Sequence, residues 1–574
     1  MNEEKNFIEK KRTFPNGEEV NVIFRKPKKA ESYDNNPGGW GYYGDLNPRS
    51  YIKKKDILVE QDVIVPMQDG TKIYVDVYRP NNEKNVPAII AWSFYGKRPF
   101  DMPKSWRIMG VPTGTVSDMT KFESPDPGYW CKNGYAVINV DPRGIGNSEG
   151  DAYIWGPDEA KDVCDVIEWV AKQHWCSGNV GMAGNSGVAM TQWYTAAEQP
   201  ESLKCIAPWE GCSDLYREFI CEGGIPAVGF NKFVMQDIYG KGYIEDHPAM
   251  AEKYPTINAY WESKIANFSN IKIPAYVCGG WSHLHLRGSI NGFRKIRSPK
   301  KWLRVHRDFE WPDAYSNDNL EDLKKFFDRY LKDINNGWEM TPKVRLDVMD
   351  AYGYDYQIHR AEEAFPLKRT QYKKLYLNAE STSLHASEVE KTSQISYDGN
   401  TGVVNFDMSF TEETEITGFL KLKLWVQVKG NDDADLFVNV QKLSTTGEWL
   451  PTYVLGEPHP GAPGKLRVSH RELDKEASTE FQPVHTHKNI QKLSEGEIVP
   501  VEIEIYPTCR IWHKGQKIRV QISGHYIREG WFEPFAWDTN NEGEHIIHTG
   551  GEYDSYLQIP VVPAKYADGD YTYR

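Results

Sequence analysis

The 574-residue sequence has no stretch of about 18 consecutive apolar residues, so no membrane-spanning helix is expected. Its first residues, MNEEKNFIEKKRTF, are charged and lack the apolar core of a secretory signal. Both absences predict a cytoplasmic protein without a membrane partner.

Charge of one sign is not concentrated anywhere along the chain. There are 81 acidic and 68 basic side chains, a formal net charge of -13, and no long basic run that could follow a phosphate backbone. Nucleic acid is therefore excluded as an expected partner, which leaves a small-molecule substrate. A homodimer is compatible with the sequence.

Motifs for metals and cofactors are also missing. The eight cysteines are scattered, with no C-x-x-C pair and no close cluster of cysteine and histidine. There is no glycine loop of the phosphate-binding type. We therefore expect reduced structural cysteines, no metal ion and no cofactor.

The chain is longer than chains that fold around a single hydrophobic core, and its apolar residues follow two different patterns. Up to Pro342, short apolar runs alternate with helical patterns, which is typical of an α/β domain with a parallel sheet. Beyond it, strand-like alternation without helices predicts a β-sandwich of jelly-roll type. The predicted boundaries are an extended arm (1–55), an α/β domain (56–214 and 271–342) interrupted by a helical cap (215–270), and the jelly roll (343–574).

A candidate nucleophile lies in the segment NVGMAGNSGVAMTQW. This segment is predicted to form a buried strand from Asn179 to Ala183, a tight turn, and a helix from about Val188. Such a corner exposes the hydroxyl of Ser186 and directs the following backbone N–H, that of Gly187, at an oxyanion. The pattern departs from G-x-S-x-G because Val188 replaces the last glycine.

A serine nucleophile needs a base and an acid, which in this topology follow later strands. The order serine, acid, histidine is met by Ser186, Glu210 and His306, and His306 follows the final strand of the predicted sheet. His285 is the rival base, with Glu310 as its acid. Tyr95, in the loop after the strand VPAIIAWS, is a candidate second donor to the oxyanion.

Several of these segments together resemble the CocE/NonD hydrolases, a family related to X-prolyl dipeptidyl aminopeptidases and α-amino acid ester hydrolases. They are IAWSFYGK, NGYAVINVDPRGIGNSEG, the nucleophile segment, GGWSHLHLRGS, FFDRYLK and LRVSHRELD. The resemblance implies an α/β-hydrolase domain, a helical cap and a C-terminal jelly roll. It also implies that Ser186 is the nucleophile and that Gly187 and Tyr95 are the oxyanion donors.

Two positions depart from the family pattern. The family has Gly-Trp-Tyr-Asp where this chain has Gly280-Trp281-Ser282-His283, and Gly-Pro-Trp-x-His where this chain has VHRDFEW. The usual acid is therefore a histidine here, and the usual base is not where the pattern puts it.

We expect a serine hydrolase that cleaves a carboxylic ester, or less readily an amide, through an acyl-enzyme on Ser186. One alternative is an X-Pro dipeptidyl aminopeptidase, which needs an acidic clamp for the substrate ammonium, such as Glu218, Glu222 or Asp237 in the cap. Another is a catalytically weakened protein that chiefly binds carbohydrate or a partner.

Overall fold

The computed structural model describes residues 6–27, 45–54, 56–99, 106–107, 109–236, 238–527 and 536–563. No helix in these ranges is long and apolar enough to cross a membrane. All eight cysteines lie within them as free thiols, and seven of them are buried.

The N-terminal segment forms a hairpin. Its strands are β1 (Phe7–Thr13) and β2 (Glu19–Arg25), which pair antiparallel. The alternation in EVNVIFR buries Val20, Val22 and Phe24, and this is why the arm is not merely extended as predicted. Residues 1–5 and 28–44 of the predicted arm lie outside the described residues.

An α/β domain follows. Its elements up to the cap are β3 (Arg49–Lys53), β4 (Ile57–Pro66), β5 (Lys72–Pro80), β6 (Val86–Ala91), α1 (Pro127–Trp130), β7 (Ala136–Asp141), α2 (Pro157–Ala171), β8 (Cys176–Asn185), α3 (Ser186–Glu198) and β9 (Leu203–Trp209). The strands β6 and β7 are buried at every position, as expected for parallel strands covered on both faces.

The predicted cap region contains short helices between β9 and the next sheet strand. They are a π-helical turn (Tyr216–Ile220), α4 (Val228–Gln236), α5 (His247–Lys253) and α6 (Ala259–Ser263), with the two-residue strand β10 (Ile244–Glu245) between α4 and α5. β10 pairs antiparallel with β2, so the N-terminal hairpin contacts the predicted cap region.

The chain then returns to the sheet through β11 (Ala275–Gly280), α7 (Leu286–Lys295), β12 (Lys301–His306), α8 (Glu310–Ala314), α9 (Asn317–Leu331), β13 (Val344–Met349) and β14 (Asp355–Glu362). The pairings give the strand order β3-β4-β5-β7-β6-β8-β9-β11-β12-β13-β14. The strands from β7 to β13 in that order are parallel. Loops that follow β8, β9, β11 and β12 therefore meet at one edge of the sheet.

Beyond β14 the described residues contain no α-helix. The strands are β15 (Gln371–Asn378), β16 (Ser383–His385), β17 (Ser393–Asp398), β18 (Val403–Ser409), β19 (Thr414–Lys429), β20 (Asp435–Leu443), β21 (Thr452–Val454), β22 (Glu457–His459), β23 (Ala462–Arg467), β24 (Val499–Trp512), β25 (Lys517–Ser523), β26 (Glu544–Thr549) and β27 (Tyr556–Val562). Their largest core is separate from that of the α/β domain and includes Leu422, Ile503 and Val520.

An α/β domain followed by an all-β domain is therefore confirmed. The long strand β19 pairs antiparallel with β24, β26 and β27, while β25 pairs with β18 and β20. The jelly-roll connectivity and the domain boundaries stay predictions.

Candidate active site

Ser186 lies at a sharp corner between β8 and α3. It is the first residue of α3, two positions before the predicted helix start, and its φ of 51° falls in the left-handed region that side chains rarely adopt. Its side chain is only partly buried, unlike that of Asn185 before it. Strain of this kind is characteristic of functional sites, and it presents the hydroxyl at the edge of the sheet.

One imidazole faces this hydroxyl. Nε2 of His285, the residue that precedes α7, lies 3.2 Å from Oγ of Ser186. The residue is 2% exposed, and its ring stacks on Phe219 with 5.5 Å between ring centroids. Burial, together with the positive charge of His283, holds the pKa of His285 well below its usual value. His285 is therefore neutral near pH 7 and has a free lone pair.

The other ring nitrogen of His285 contacts a sulfur atom. Nδ1 lies 2.9 Å from Sγ of Cys212, a buried residue in the loop after β9. Cys212 belongs to the cysteines that the sequence analysis assigned to structure. The only sequence feature that could have pointed to Cys212 is its position two residues after Glu210, just beyond the end of β9.

Two candidate oxyanion donors adjoin Ser186. The Tyr95 hydroxyl hydrogen bonds with Ser186 and Glu123, and burial followed by the Glu123 charge raises its pKa well above the usual value. Gly187 is the second residue of α3, where backbone N–H groups have no partner within the helix. A Cβ atom at Gly187 would lie 3.2 Å from the Tyr95 oxygen, so the two donors are close together.

His306, the preferred base in the sequence analysis, is not brought to Ser186. Its Nε2 lies 2.8 Å from Oε1 of Glu210 and 3.4 Å from Oδ2 of Asp313. Burial alone would lower the pKa of His306, but the charge of Asp313 and the contact with Glu210 raise it well above its usual value. The preference is corrected because His306 is the last residue of β12, where these carboxylates hold it as a cation.

Glu210 and Glu310 also contact another histidine. Nδ1 of His283 lies 3.3 Å from Glu210, and Nε2 lies 3.2 Å from Glu310. Against the effect of burial, these two carboxylates raise the pKa of His283 to about 10. Neither carboxylate contacts His285, so the expected pairing of His285 with Glu310 is also corrected. Glu210 instead lies between two imidazolium rings.

A metal ion could be held by one group among the described residues. Glu210, Cys278 and His306 place ligand atoms within 4.8 Å of one another, and all three side chains are buried. The ion pair between Glu210 and His306 already balances the charge of this group. The expected absence of a metal stays a prediction.

Aromatic side chains surround the corner. Phe94 contacts Trp155, Trp155 contacts Phe219, and Phe219 contacts Phe230, with ring centroids 5.3, 5.7 and 5.6 Å apart. Trp155 also donates its ring N–H to the carbonyl oxygen of Gly187 at 3.2 Å. The walls beside Ser186 are thus largely apolar.

Glu123 is a further residue that sequence reasoning missed. It carries a φ of 57°, and its carbonyl oxygen accepts a hydrogen bond from the Asn185 backbone. Burial and the nearby Glu310 charge raise the pKa of its carboxyl well above the usual value. It belongs to the connection between β6 and β7, where no motif marks it.

Two family models and a curated relative match this chain. A family model described as X-Pro dipeptidyl-peptidase (S15 family) matches residues 69–254, and one described as X-Pro dipeptidyl-peptidase C-terminal non-catalytic domain matches residues 336–558. Cocaine esterase from Rhodococcus sp. (strain MB1 Bresler) is 24% identical over 88% of this chain and 98% of its own length.

Two solved structures are similar along almost the whole chain. A CocE/NonD family hydrolase from Staphylococcus aureus is 37% identical, with a TM-score of 0.85 over 94% of this chain and 99% of that one. An aminopeptidase from a marine sediment archaeon, Thaumarchaeota archaeon, is 15% identical, with a TM-score of 0.65 over 91% of this chain and 99% of that one. The second likeness shows the fold alone.

Proposed function

Because the chain belongs to the CocE/NonD family of hydrolases and is a serine hydrolase, we propose that it cleaves carboxylic esters through an acyl-enzyme on Ser186, with His285 as the base. The observation that carries the proposal is the 3.2 Å approach of His285 Nε2 to Ser186 Oγ. This distance is suitable for proton transfer, and His285 is neutral at this position.

The proposed reaction has two halves. In the first, the Ser186 proton moves to Nε2 of His285 while Oγ bonds to the carbonyl carbon. The carbonyl oxygen becomes an oxyanion that accepts hydrogen bonds from the Gly187 N–H and the Tyr95 hydroxyl. The ester C–O bond then breaks, and the departing alkoxide takes the proton from His285. In the second half, water gives a proton to Nε2 of His285 while its oxygen bonds to the acyl carbon. The bond between that carbon and Ser186 Oγ then breaks, His285 returns the proton to Oγ, and the carboxylic acid leaves.

Tyr95 suits the role of oxyanion donor because its proton is not held by a strong acceptor. Burial and the Glu310 charge raise the pKa of Glu123 well above its usual value, so its carboxyl competes less for the Tyr95 proton than an ordinary carboxylate would. The raised pKa of Tyr95 keeps its own proton in place.

The cap acids expected for an X-Pro substrate are occupied by other groups. Glu218 accepts hydrogen bonds from the backbone of Ser213 and Asp214 at 2.7 and 2.9 Å. Glu222 binds Lys465 at 3.1 Å and the Tyr506 hydroxyl at 2.6 Å. Asp237 lies outside the described residues. These contacts favour an ester over a dipeptide with a free ammonium group.

An aminopeptidase acting on X-Pro substrates remains the second candidate, favoured by one observation. Glu123 and Glu310 each keep one buried carboxyl oxygen without a hydrogen-bond partner, and both influence Tyr95. A substrate ammonium placed there would favour the ionised form of both carboxyls and pair with them.

Labelling with a fluorophosphonate probe and hydrolysis of a short p-nitrophenyl ester test the proposal together. We expect labelling of the native protein and none of Ser186→Ala. His285→Ala should lower kcat by about 10³-fold or more, whereas His306→Gln should stay within about 10-fold of the native value. Near-native turnover in folded His285→Ala would contradict the assignment of the base.

The substrate class is tested by comparing the ester with Ala-Pro-p-nitroanilide. A higher kcat/KM for the ester supports esterase activity. A higher kcat/KM for the anilide would favour the aminopeptidase instead. The aminopeptidase replaces the esterase if this preference is then lost on N-acetylation of the anilide or in Glu123→Gln.

A further inference from the structure

Four atoms form a continuous chain behind the Ser186 hydroxyl. Ser186 Oγ lies 3.2 Å from His285 Nε2, and His285 Nδ1 lies 2.9 Å from Cys212 Sγ. The Cys212 thiol in turn points at Sδ of Met190, 3.9 Å away. We propose that Cys212, oriented by Met190, positions His285 and takes the place that a carboxylate holds in a serine hydrolase triad. This inference rests on the proposed role of His285 as the base.

The direction of the hydrogen bonds follows from what each sulfur can do. A thioether has lone pairs and no hydrogen, so Met190 can only accept, and the Cys212 S–H is directed to it. The Cys212 sulfur then presents a lone pair to His285, so Nδ1 of His285 carries the hydrogen. Nε2 is left unprotonated and faces the Ser186 hydroxyl, which is the tautomer that proton transfer needs.

No carboxylate competes for this place in the described part of the chain. Glu210 is engaged by His283 and His306, and Glu310 by His283. None of the ion pairs or hydrogen bonds found among the described residues joins an Asp or Glu to His285. The thiol also stays neutral, since burial and the charges of Glu218 and Glu222 raise its pKa well above the usual value.

A neutral partner has a consequence that a carboxylate would not have. A carboxylate stabilises the imidazolium and raises the pKa of the histidine, whereas a thiol acceptor does so weakly. The base should therefore remain unprotonated in mildly acidic solution. The acid limb of the kcat/KM profile is expected below pH 6.5, the ordinary histidine value.

The experiment uses the full-length protein with ester hydrolysis followed from pH 4.5 to 9. Cys212→Ala should lower kcat by about 10- to 100-fold with little change in KM, because the tautomer is no longer selected. Cys212→Ser should recover part of this loss, since a hydroxyl can accept from Nδ1. Cys212→Asp should move the acid limb upward by about one pH unit or more.

Two further variants keep the test independent of folding. Met190→Leu conserves volume and removes only the acceptor, so kcat should fall several-fold while the thermal unfolding midpoint changes little. Cys205→Ala is the matched control, a buried cysteine in β9 within a different hydrophobic cluster from Cys212, and its kcat should be native.

The inference is overturned if folded Cys212→Ala and Met190→Leu keep native kcat, or if Cys212→Asp leaves the acid limb in place. Failure of the proposed function would be seen differently. In that case the native protein would not label with the fluorophosphonate, or His285→Ala would hydrolyse the ester normally.

Discussion

Three neighbouring histidines have different protonation states because each has different partners. His285 contacts a thiol and a hydroxyl and is neutral, whereas His283 and His306 contact carboxylates and are cationic. All three rings are buried, and burial alone would make each of them neutral. The specific neighbours therefore decide which histidine can serve as a base.

The raised pKa of His283 predicts a loss of stability in alkaline solution. Between the unfolded value of 6.5 and the folded value of about 10, the native state keeps a proton that the unfolded state has lost. Its contribution to the free energy of unfolding is complete below pH 6.5 and falls by about 1.4 kcal/mol per pH unit above it.

We expect His283→Gln to be less stable than the native protein at pH 7, with the difference narrowing towards pH 10. Thermal unfolding midpoints of both proteins across this range measure it. A constant difference at all pH values would show that His283 is not a cation in the folded protein.

At the scale of elements, the turn from β8 to α3 explains the departure from G-x-S-x-G. Gly184 has a φ of 140°, and a Cβ there would lie 2.3 Å from Cγ1 of Val188 and 2.8 Å from the carbonyl oxygen of Glu123. The Val188 side chain thus occupies space that the missing side chain of Gly184 leaves. Val188 fits at the last position of the motif because the residue at the first position, Gly184, has no side chain.

Gly184→Ala should therefore destabilise the protein by about 2–4 kcal/mol and lower esterase activity by displacing Ser186. The matched control is Gly178→Ala in the same strand, where φ is 87° but nothing lies within 4 Å of the added Cβ. The control should cost only about 1 kcal/mol of backbone strain and keep native kcat. Denaturant unfolding and ester turnover measure both effects, and equal losses in the two variants would contradict the packing argument.

At the scale of the whole molecule, a histidine cluster joins the predicted cap region to the C-terminal half of the chain. His470 and His487 lie with their Nδ1 atoms 3.0 Å apart, and the ring of His485 is 5.6 Å from that of His487. The cap contributes Tyr216, whose ring is 5.3 Å from His487, and Arg217, which donates to the His485 carbonyl. Neutral rings can pack in this way, whereas cations would repel one another and the arginine.

Acid should therefore weaken this junction. Burial, followed for His470 by the charge of Arg467, lowers the pKa of His470 and His485 to about 4. Below pH 6.5 the unfolded state binds protons that the native state does not, so stability is complete above pH 6.5. It falls by about 1.4 kcal/mol per pH unit for each histidine as the pH approaches 4.

The measurement is the unfolding midpoint of the native protein and of His485→Gln between pH 7.5 and 4.5. The native midpoint should drop more steeply than that of the variant. Parallel curves would show that the His485 ring is protonated equally in the folded and unfolded states.

Local patterns in the sequence were enough to predict the parallel α/β sheet, the all-β C-terminal half and the corner that carries Ser186. The reason is that strand burial, helix periodicity and the tight turn before Ser186 all depend on residues close together in the chain. Tyr95 and Gly187 could be named for the same reason, since each directly follows a strand end or the nucleophile.

Only the tertiary structure decided the partners of each side chain. His285 rather than His306 faces Ser186, and Cys212 rather than Glu210 or Glu310 contacts its second nitrogen. These contacts join loops up to about 100 residues apart, and their protonation states depend on burial and on charges from several loops. A single sequence lists the ionisable groups at the edge of the sheet, but it does not contain the distances that pair them.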